Sequence, residues 1–477
     1  MPNFPRMNQP NKFYLTSPIF YPNAKLHMGH AYTMTLCDIL ARYQRLENKE
    51  VYFLTGSDEN TGKVVRAAKE ANKSIEEFLT EINKNFENLY KSLNISYDQF
   101  IRTTDKEKHW PGAIALWNKL VEAGDIYKSI YRGLYCPSCE AFYTGKDLVD
   151  GKCPYHMTIL EGIEEENYFF RLSKYTDTVK EKIKSDKLRV IPETRKNEIL
   201  ALLEQGLEDV SFSRPIENVP HGIPVPGDST QVIYVWCDAL VNYISAIGYG
   251  RDETELDKWW PANLHVIGKD ILRFHAAIWP AMLLSAGLPL PNSLLVHGFI
   301  TSGGHKMSKS IGNIIDPLEL IEKFGPEAVR YFLARKISTF EDGDLTTEAF
   351  KDAYNGDLAN GLGNLVSRIM KLAETHLSQL VTVQSSALGK EIELLLDKFE
   401  IQKAMNYIWS EIGELDAEIQ KTKPWESKDK GVIADLVLRL SHIAYTLAPF
   451  MPQTSEKILS AIKDNRLSKP LFPRKDA

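Results

Sequence analysis

Apolar residues recur along this chain in two periods. Lys12-Phe13-Tyr14-Leu15-Thr16-Ser17 is an apolar and β-branched run of strand length, and Ala31 to Arg45 places Tyr32, Leu36, Ile39, Leu40 and Tyr43 at helical spacing. Val51 to Thr55 predicts a second buried strand, followed by a helix through Ala71. Covering helices are expected over Ser74–Leu93 and Trp110–Glu122. The pattern then breaks into a turn-rich segment and resumes with strands at Gln231–Trp236, Leu264–Gly268 and Leu294–Val296, and helices over 237–247 and 271–285. Repeated strand, turn and helix is the grammar of a parallel α/β sheet, whose ligands bind beyond the carboxyl ends of the strands. Past Arg330 the strand signals stop. Leu358, Leu362, Leu365, Ile369 and Leu372 mark one amphipathic helix, Ile401, Met405, Ile408, Ile412 and Leu415 another, and 433–447 a third, which predicts an all-α bundle.

Composition changes little in this picture. With 477 residues the chain is too long for one core, and 43% hydrophobic with 25% charged residues is ordinary for a globular protein. A net charge of −6 gives no global basic field, so any contact with nucleic acid must use a local patch. Met1 to Asn11 is polar and holds three prolines, and the longest apolar stretch, 276–286, is too short to span a bilayer, so a cytosolic protein is expected.

Cysteine adds chemistry. Three of the five cysteines fall in one segment, as Cys136-x-x-Cys139 answered by Cys153-x-x-His156. Two such knuckles supply four soft or borderline ligands, the set of a closed, structural zinc site. Phe142, Tyr143, Tyr168, Phe169 and Phe170 are expected to cover it, and Glu164-Glu165-Glu166 to form a solvated turn. Cys37 and Cys237 lie in apolar helical surroundings and read as inert core thiols.

The first strand leads into Leu26-His27-Met28-Gly29-His30, where a helix begins. A helix start offers free N–H groups and partial positive charge to an anion, Gly29 lets a ligand lie against the backbone, and the two imidazoles share one face. Taken alone, such histidines are more often surface or capping residues. The second strand leads into an acidic turn with Asp58, able to hold a ligand ammonium or to cap the next helix. Trp236, Tyr243, Ile271 and His275 could wall an apolar pocket, though core packing is the commoner role of each. After the last strand comes Gly303-Gly304-His305-Lys306-Met307-Ser308-Lys309, read as a mobile cationic loop that closes over phosphates.

His27-Met28-Gly29-His30 and Lys306-Met307-Ser308-Lys309-Ser310 resemble the two signature motifs of class I aminoacyl-tRNA synthetases. With Thr16 to Tyr21, the turn at Asp58, Tyr234 to Ala239, Gly268 to Ile271 and the four-ligand knuckle, the set is similar to the methionyl-tRNA synthetase family over essentially the whole chain. Met28 stands where isoleucine or leucine is usual, and Leu240 where some members have proline.

The resemblance implies a Rossmann-type catalytic domain in two halves, 1–122 and 221–325, with an inserted zinc-knuckle domain at 123–220, a linking stem-contact region at 326–355 and an α-helical anticodon-binding domain at 356–477. It implies that His27, Gly29, His30, Lys306, Met307, Ser308 and Lys309 bind ATP, brought with Mg²⁺. His27, His30, Lys306 and Lys309 would be the catalytic groups. Asp58 would take the amino group of methionine, and Ile19, Tyr21, Trp236, Ala239, Tyr243, Ile271 and His275 its side chain. Asn364, Arg368 and Trp425 match the positions that read the anticodon of tRNA(Met), although from spacing alone they read as packing and surface residues. A short insertion spent on zinc argues against the substrates of relatives that carry a large editing domain. The lack of an appended tRNA-binding module implies a monomer.

Overall fold

In the computed structural model, residues 11–136, 141–143, 148–154, 157–307, 313–383 and 388–475 are described. Cys139, His156, Ser308 and Lys309 lie outside them, as does the side chain of Lys306. The chain divides into two compact units. The first comprises 1–25, 48–88 and 97–297, the second 26–47, 89–96 and 298–477. The first motif's helix therefore groups with the C-terminal unit, although it lies within the expected 1–122 domain.

The first unit is built on a six-stranded parallel sheet. Its strands β1 (Lys12–Phe20), β2 (Glu50–Ser57) and β3 (Gln99–Arg102) run outward in one direction, and Leu264–Gly268, Ser293–His297 and Arg189–Ile191 in the other. All the pairings are parallel, with β1 beside both β2 and Leu264–Gly268. The strand order reverses between β1 and Leu264–Gly268, and a crevice opens at the carboxyl end of such a switch point. Buried runs such as Leu264-His265-Val266-Ile267 fit strands covered on both faces. Arg189–Ile191 belongs to this sheet although it falls inside the segment expected as an insertion.

Other expectations change here too. The strand at 228–233 ends before Tyr234 and pairs antiparallel in a small separate sheet, and Val235 and Trp236 begin the following helix, Val235–Ser245. The expected 271–285 helix is a 3₁₀ turn, a π-helical stretch at Phe274–Ile278 and a short α-helix from Trp279. Glu164 to Glu166 are not a turn. They lie in the antiparallel strand Glu161–Phe170, and Glu165 pairs with Arg214 at 2.8 Å. Phe170 and Tyr168 pack into the main core rather than the knuckle. Phe169 stacks on Tyr127 and Tyr131, and Phe142 has its side chain outside the described set.

The second unit holds the helix α1 (Met28–Leu46) and the C-terminal helices, among them Pro326–Arg335, Asn364–His376, Ile401–Thr422 and Lys430–Leu447. Its centre is charged. Arg330 and Asp38 are fully buried and paired at 2.7 Å. The guanidinium also donates to the carbonyls of Leu93, Pro449 and Phe450. Asp38 takes further donors from Arg42 and from the Ser96 backbone and hydroxyl. Burial alone would raise the Asp38 carboxyl, but Arg330 and Arg42 hold it below the usual range.

Candidate active site

The first motif is a helix cap built from its own histidines. His27 is the N-cap of α1, and its Nδ1 accepts the N–H of Gly29 at 3.0 Å. His30 reaches back, its Nδ1 accepting the N–H of His27 at 3.1 Å. Both Nδ1 atoms are thus acceptors, which places the proton of each neutral ring on Nε2 as a donor. The rings lie 4.0 Å apart. Burial, and secondarily the His27 ring, pulls His30 well below the usual histidine range. Gly29 is needed for the cap itself, since a Cβ there would meet the His27 ring at 2.9 Å. The capping role and the ligand role are compatible, because they use different ring nitrogens.

Helix α1 packs against the strand Ile300–Ser302, which leads into the second motif. The glycines there do not form a loose loop. Gly303 (φ 62°) and Gly304 (φ 75°) are the two left-handed residues of a tight hairpin, with Thr301 paired to Lys306 and Ser302 to His305. Asp344 locks the turn, accepting from the Gly304 N–H at 2.9 Å and the Thr301 hydroxyl at 2.7 Å. Met307 is buried at the exit.

In the first unit, three residues of the expected methionine pocket lie at strand ends. Tyr21 comes directly after β1 and Asp58 directly after β2, and Ile271 closes the 3₁₀ turn that follows Leu264–Gly268. Asp58 is buried, and its N–H donates to the Phe20 carbonyl at 2.9 Å. It does not cap the next helix, α2 (Gly62–Glu70). Thr61 does. Trp236 stacks on Phe274 at 3.5 Å between centroids and meets the Tyr21 ring edge-on at 6.5 Å, and Ile271 packs with them. Lys63 sits over the Tyr21 ring, 3.6 Å from its centroid. His275 donates Nδ1–H to the Ile271 carbonyl at 3.0 Å, so its Nε2 accepts the Tyr243 hydroxyl at 2.8 Å. Burial pulls His275 down to about 4. Ala239 is buried in the Val235–Ser245 helix, while Ile19 packs on the main core. The result is an apolar, aromatic wall with one neutral polar handle.

Cys136 and Cys153 are buried together with Tyr143 and Leu160 in a small separate core. Two buried sulfurs in one cluster fit half of a thiolate-rich metal site, and the other two expected ligands, Cys139 and His156, lie outside the described residues.

On the helical bundle, Arg368 and Trp425 line one cavity of about 440 Å³ with Ser367, Lys371, Leu372, Thr375 and His376. Arg368 pairs with Asp416 at 2.6 Å, and Trp425 is 43% exposed in a short helix rather than a loop. Asn364 is exposed one turn before Arg368 and does not line the cavity.

A family model described as "tRNA synthetases class I (M)" matches residues 13–159 and 159–370. A methionine–tRNA ligase of Clostridium acetobutylicum is 42% identical over 476 residues, which is 95% of this chain and 73% of that protein. The chain belongs to the methionyl-tRNA synthetase family of class I. A relative from Thermotoga maritima is 41% identical over 475 residues, covering 94% of this chain and 75% of its own. A Mycobacterium tuberculosis methionyl-tRNA synthetase solved with methionyl-adenylate matches with a TM-score of 0.89 at 35% identity, over 98% of this chain and 99% of that one.

The motifs of the methionyl-tRNA synthetase family draw attention to a few side chains and pass over those that brace them. Phe274 on the aromatic wall and Lys63 on Tyr21 carry no motif signal. Nor does the buried His109, while Glu59 and Asn60 in the turn at Asp58 and Asp238 within Tyr234 to Ala239 lie in matched segments whose spacing gives no partner for them.

Proposed function

We propose that this chain is a methionine–tRNA ligase. It joins L-methionine to ATP, giving methionyl-adenylate and diphosphate, and then transfers the methionyl group to tRNA(Met) for translation initiation and elongation. The likeness over 98% of the chain to a synthetase solved with methionyl-adenylate carries this reading.

In the first step the methionine carboxylate oxygen attacks the α-phosphorus in line, and the bond to the leaving diphosphate breaks. No protein nucleophile is required. The step needs positioning and neutralisation of phosphate charge. His27 and His30 supply two Nε2–H donors at a helix start, while Lys306 and Lys309 supply cations to the diphosphate side and Mg²⁺ accompanies ATP. Asp58 takes the methionine ammonium. Ile19, Tyr21, Trp236, Ala239 and Ile271 enclose the thioether, and the Tyr243–His275 pair presents a neutral polar edge to the sulfur. In the second step a ribose hydroxyl of the terminal adenosine attacks the methionyl carbonyl and AMP leaves.

Cys136, Cys139, Cys153 and His156 would hold one zinc ion, whose chemistry here is structural cross-linking of a segment with little core of its own. Arg368, Trp425 and Asn364 would stack on and pair with anticodon bases. A cytoplasmic monomer completes the reading, with the domains as given above except that Arg189–Ile191 belongs to the catalytic sheet rather than to the insertion.

Amino-acid-dependent exchange of labelled diphosphate into ATP tests it. Methionine should drive exchange and cysteine or isoleucine should not. Exchange driven by another amino acid, or by none, would refute the assignment.

A further inference from the structure

The turn that carries Asp58 is tied to the helix that carries Trp236 and Ala239. Asn60 is buried and donates from Nδ2 to Asp238 Oδ2 at 2.9 Å and to the Thr103 carbonyl at 2.9 Å. Asp238, fully buried in the first turn of Val235–Ser245, accepts His109 Nε2–H on its other oxygen at 2.6 Å. His109 stands at the start of the Trp110–Glu122 helix and meets the Ser245 hydroxyl with Nδ1 at 2.8 Å. The turn is held on its other flank as well. Glu59 accepts from Ser57 at 2.6 Å, Asn83 at 2.6 Å and Arg102 at 2.7 Å, and from Thr104. The N–H groups of Glu59 and Asn60 both go to the Thr103 hydroxyl.

We propose that Asn60, Asp238 and His109 are positioning residues that set the spacing between the ammonium-binding carboxylate and the aromatic wall, and so the affinity for the amino end of methionine. The inference rests on the reading above, in which Asp58 takes that amino group. Asp58 is two residues from Asn60, and Trp236 two from Asp238. Hydrogen bonds to a buried carboxylate are short and directional, so a turn held by one has little slack. The two halves of the ligand differ in what they tolerate. A thioether against aromatic rings makes non-directional contacts, whereas an ammonium must meet its carboxylate at hydrogen-bond distance. Loosening the brace should therefore cost affinity only where the ligand carries the ammonium.

Two methionine analogues separate these halves. Methioninol keeps the ammonium and lacks the carboxylate, and 4-(methylthio)butanoate does the reverse. In Asn60→Ala of the full chain, KM for methionine and Ki for methioninol should each rise about tenfold, the worth of one buried hydrogen bond to a charged group. The Ki of 4-(methylthio)butanoate, KM for ATP and kcat of exchange should stay within about twofold, below the cost of any such bond. His109→Leu, which removes the donor to Asp238 Oδ1, should give the same selective loss and carries the test if Asn60→Ala does not fold. Equal weakening of both analogues, or of neither, overturns the proposal. Asp58→Asn runs alongside. If it leaves methioninol binding intact, the amino-group reading fails; if it weakens methioninol while the Asn60 and His109 variants do not, the positioning role alone falls.

Discussion

His30 Nδ1 accepts the backbone N–H of His27, and His27 Nδ1 accepts that of Gly29, so the motif closes its own helix before any ligand arrives. Capping consumes one nitrogen of each ring and directs the proton of each to the other.

That division of labour separates stability from activity. Serine caps a helix as well as histidine but offers no Nε2–H. His27→Ser should keep its midpoint of urea unfolding and lose at least tenfold in kcat for diphosphate exchange, the effect of removing one positioned donor to developing charge. His30→Ala should lose activity and about 1 kcal/mol of stability together, because a cap bond goes with it.

Four histidines make the fold acid-sensitive. Burial holds His265 and His30 well below the usual range, lowers His221, and holds His275 at about 4. In the unfolded chain each binds a proton near pH 6.5, while the folded rings stay neutral. The unfolded state therefore takes up more protons as pH falls, and stability is lost progressively below about pH 6.5, by up to about 1.4 kcal/mol per pH unit for each group until its folded pKa is passed. Urea midpoints measured from pH 7.5 to 4.5 should fall through that window. His275→Gln should reduce the slope, with its largest effect between pH 6.5 and about 4.

Arg330 should be irreplaceable in the second unit. Removing it leaves the buried Asp38 carboxylate with one guanidinium instead of two and takes a donor from three carbonyls. Arg330→Ala should cost about 3–5 kcal/mol in chemical unfolding. Arg330→Lys should recover only part of this, because an ammonium cannot reproduce the fork that serves partners on different segments.

The exposed indole of Trp425 predicts a defect confined to tRNA-dependent charging. Trp425→Ala should raise KM for tRNA(Met) by about tenfold or more, the cost of one lost base stack. A steady-state charging assay with varied tRNA reads this directly, and an unchanged KM would remove Trp425 from the anticodon surface.

Local spacing decided much of this protein. The alternation of buried strand and helix, the histidines at a strand-to-helix junction, the acidic turn after β2 and the helical C-terminal third can all be read from the sequence. Each is set by residues within a turn or two of one another, where periodicity and cap chemistry act. Tertiary structure decided what distant residues do to each other. It placed Arg189–Ile191 in the main sheet, paired Glu165 with Arg214, stacked Phe274 on Trp236 and joined Asn60 to Asp238 and His109. It also gave the glycines reasons that spacing misses: Gly29 makes room for the His27 ring, and Gly303 with Gly304 turn a hairpin rather than loosen a loop. Such pairings join residues tens to hundreds of positions apart, and a buried polar group shows its partner only once the chain has closed around it.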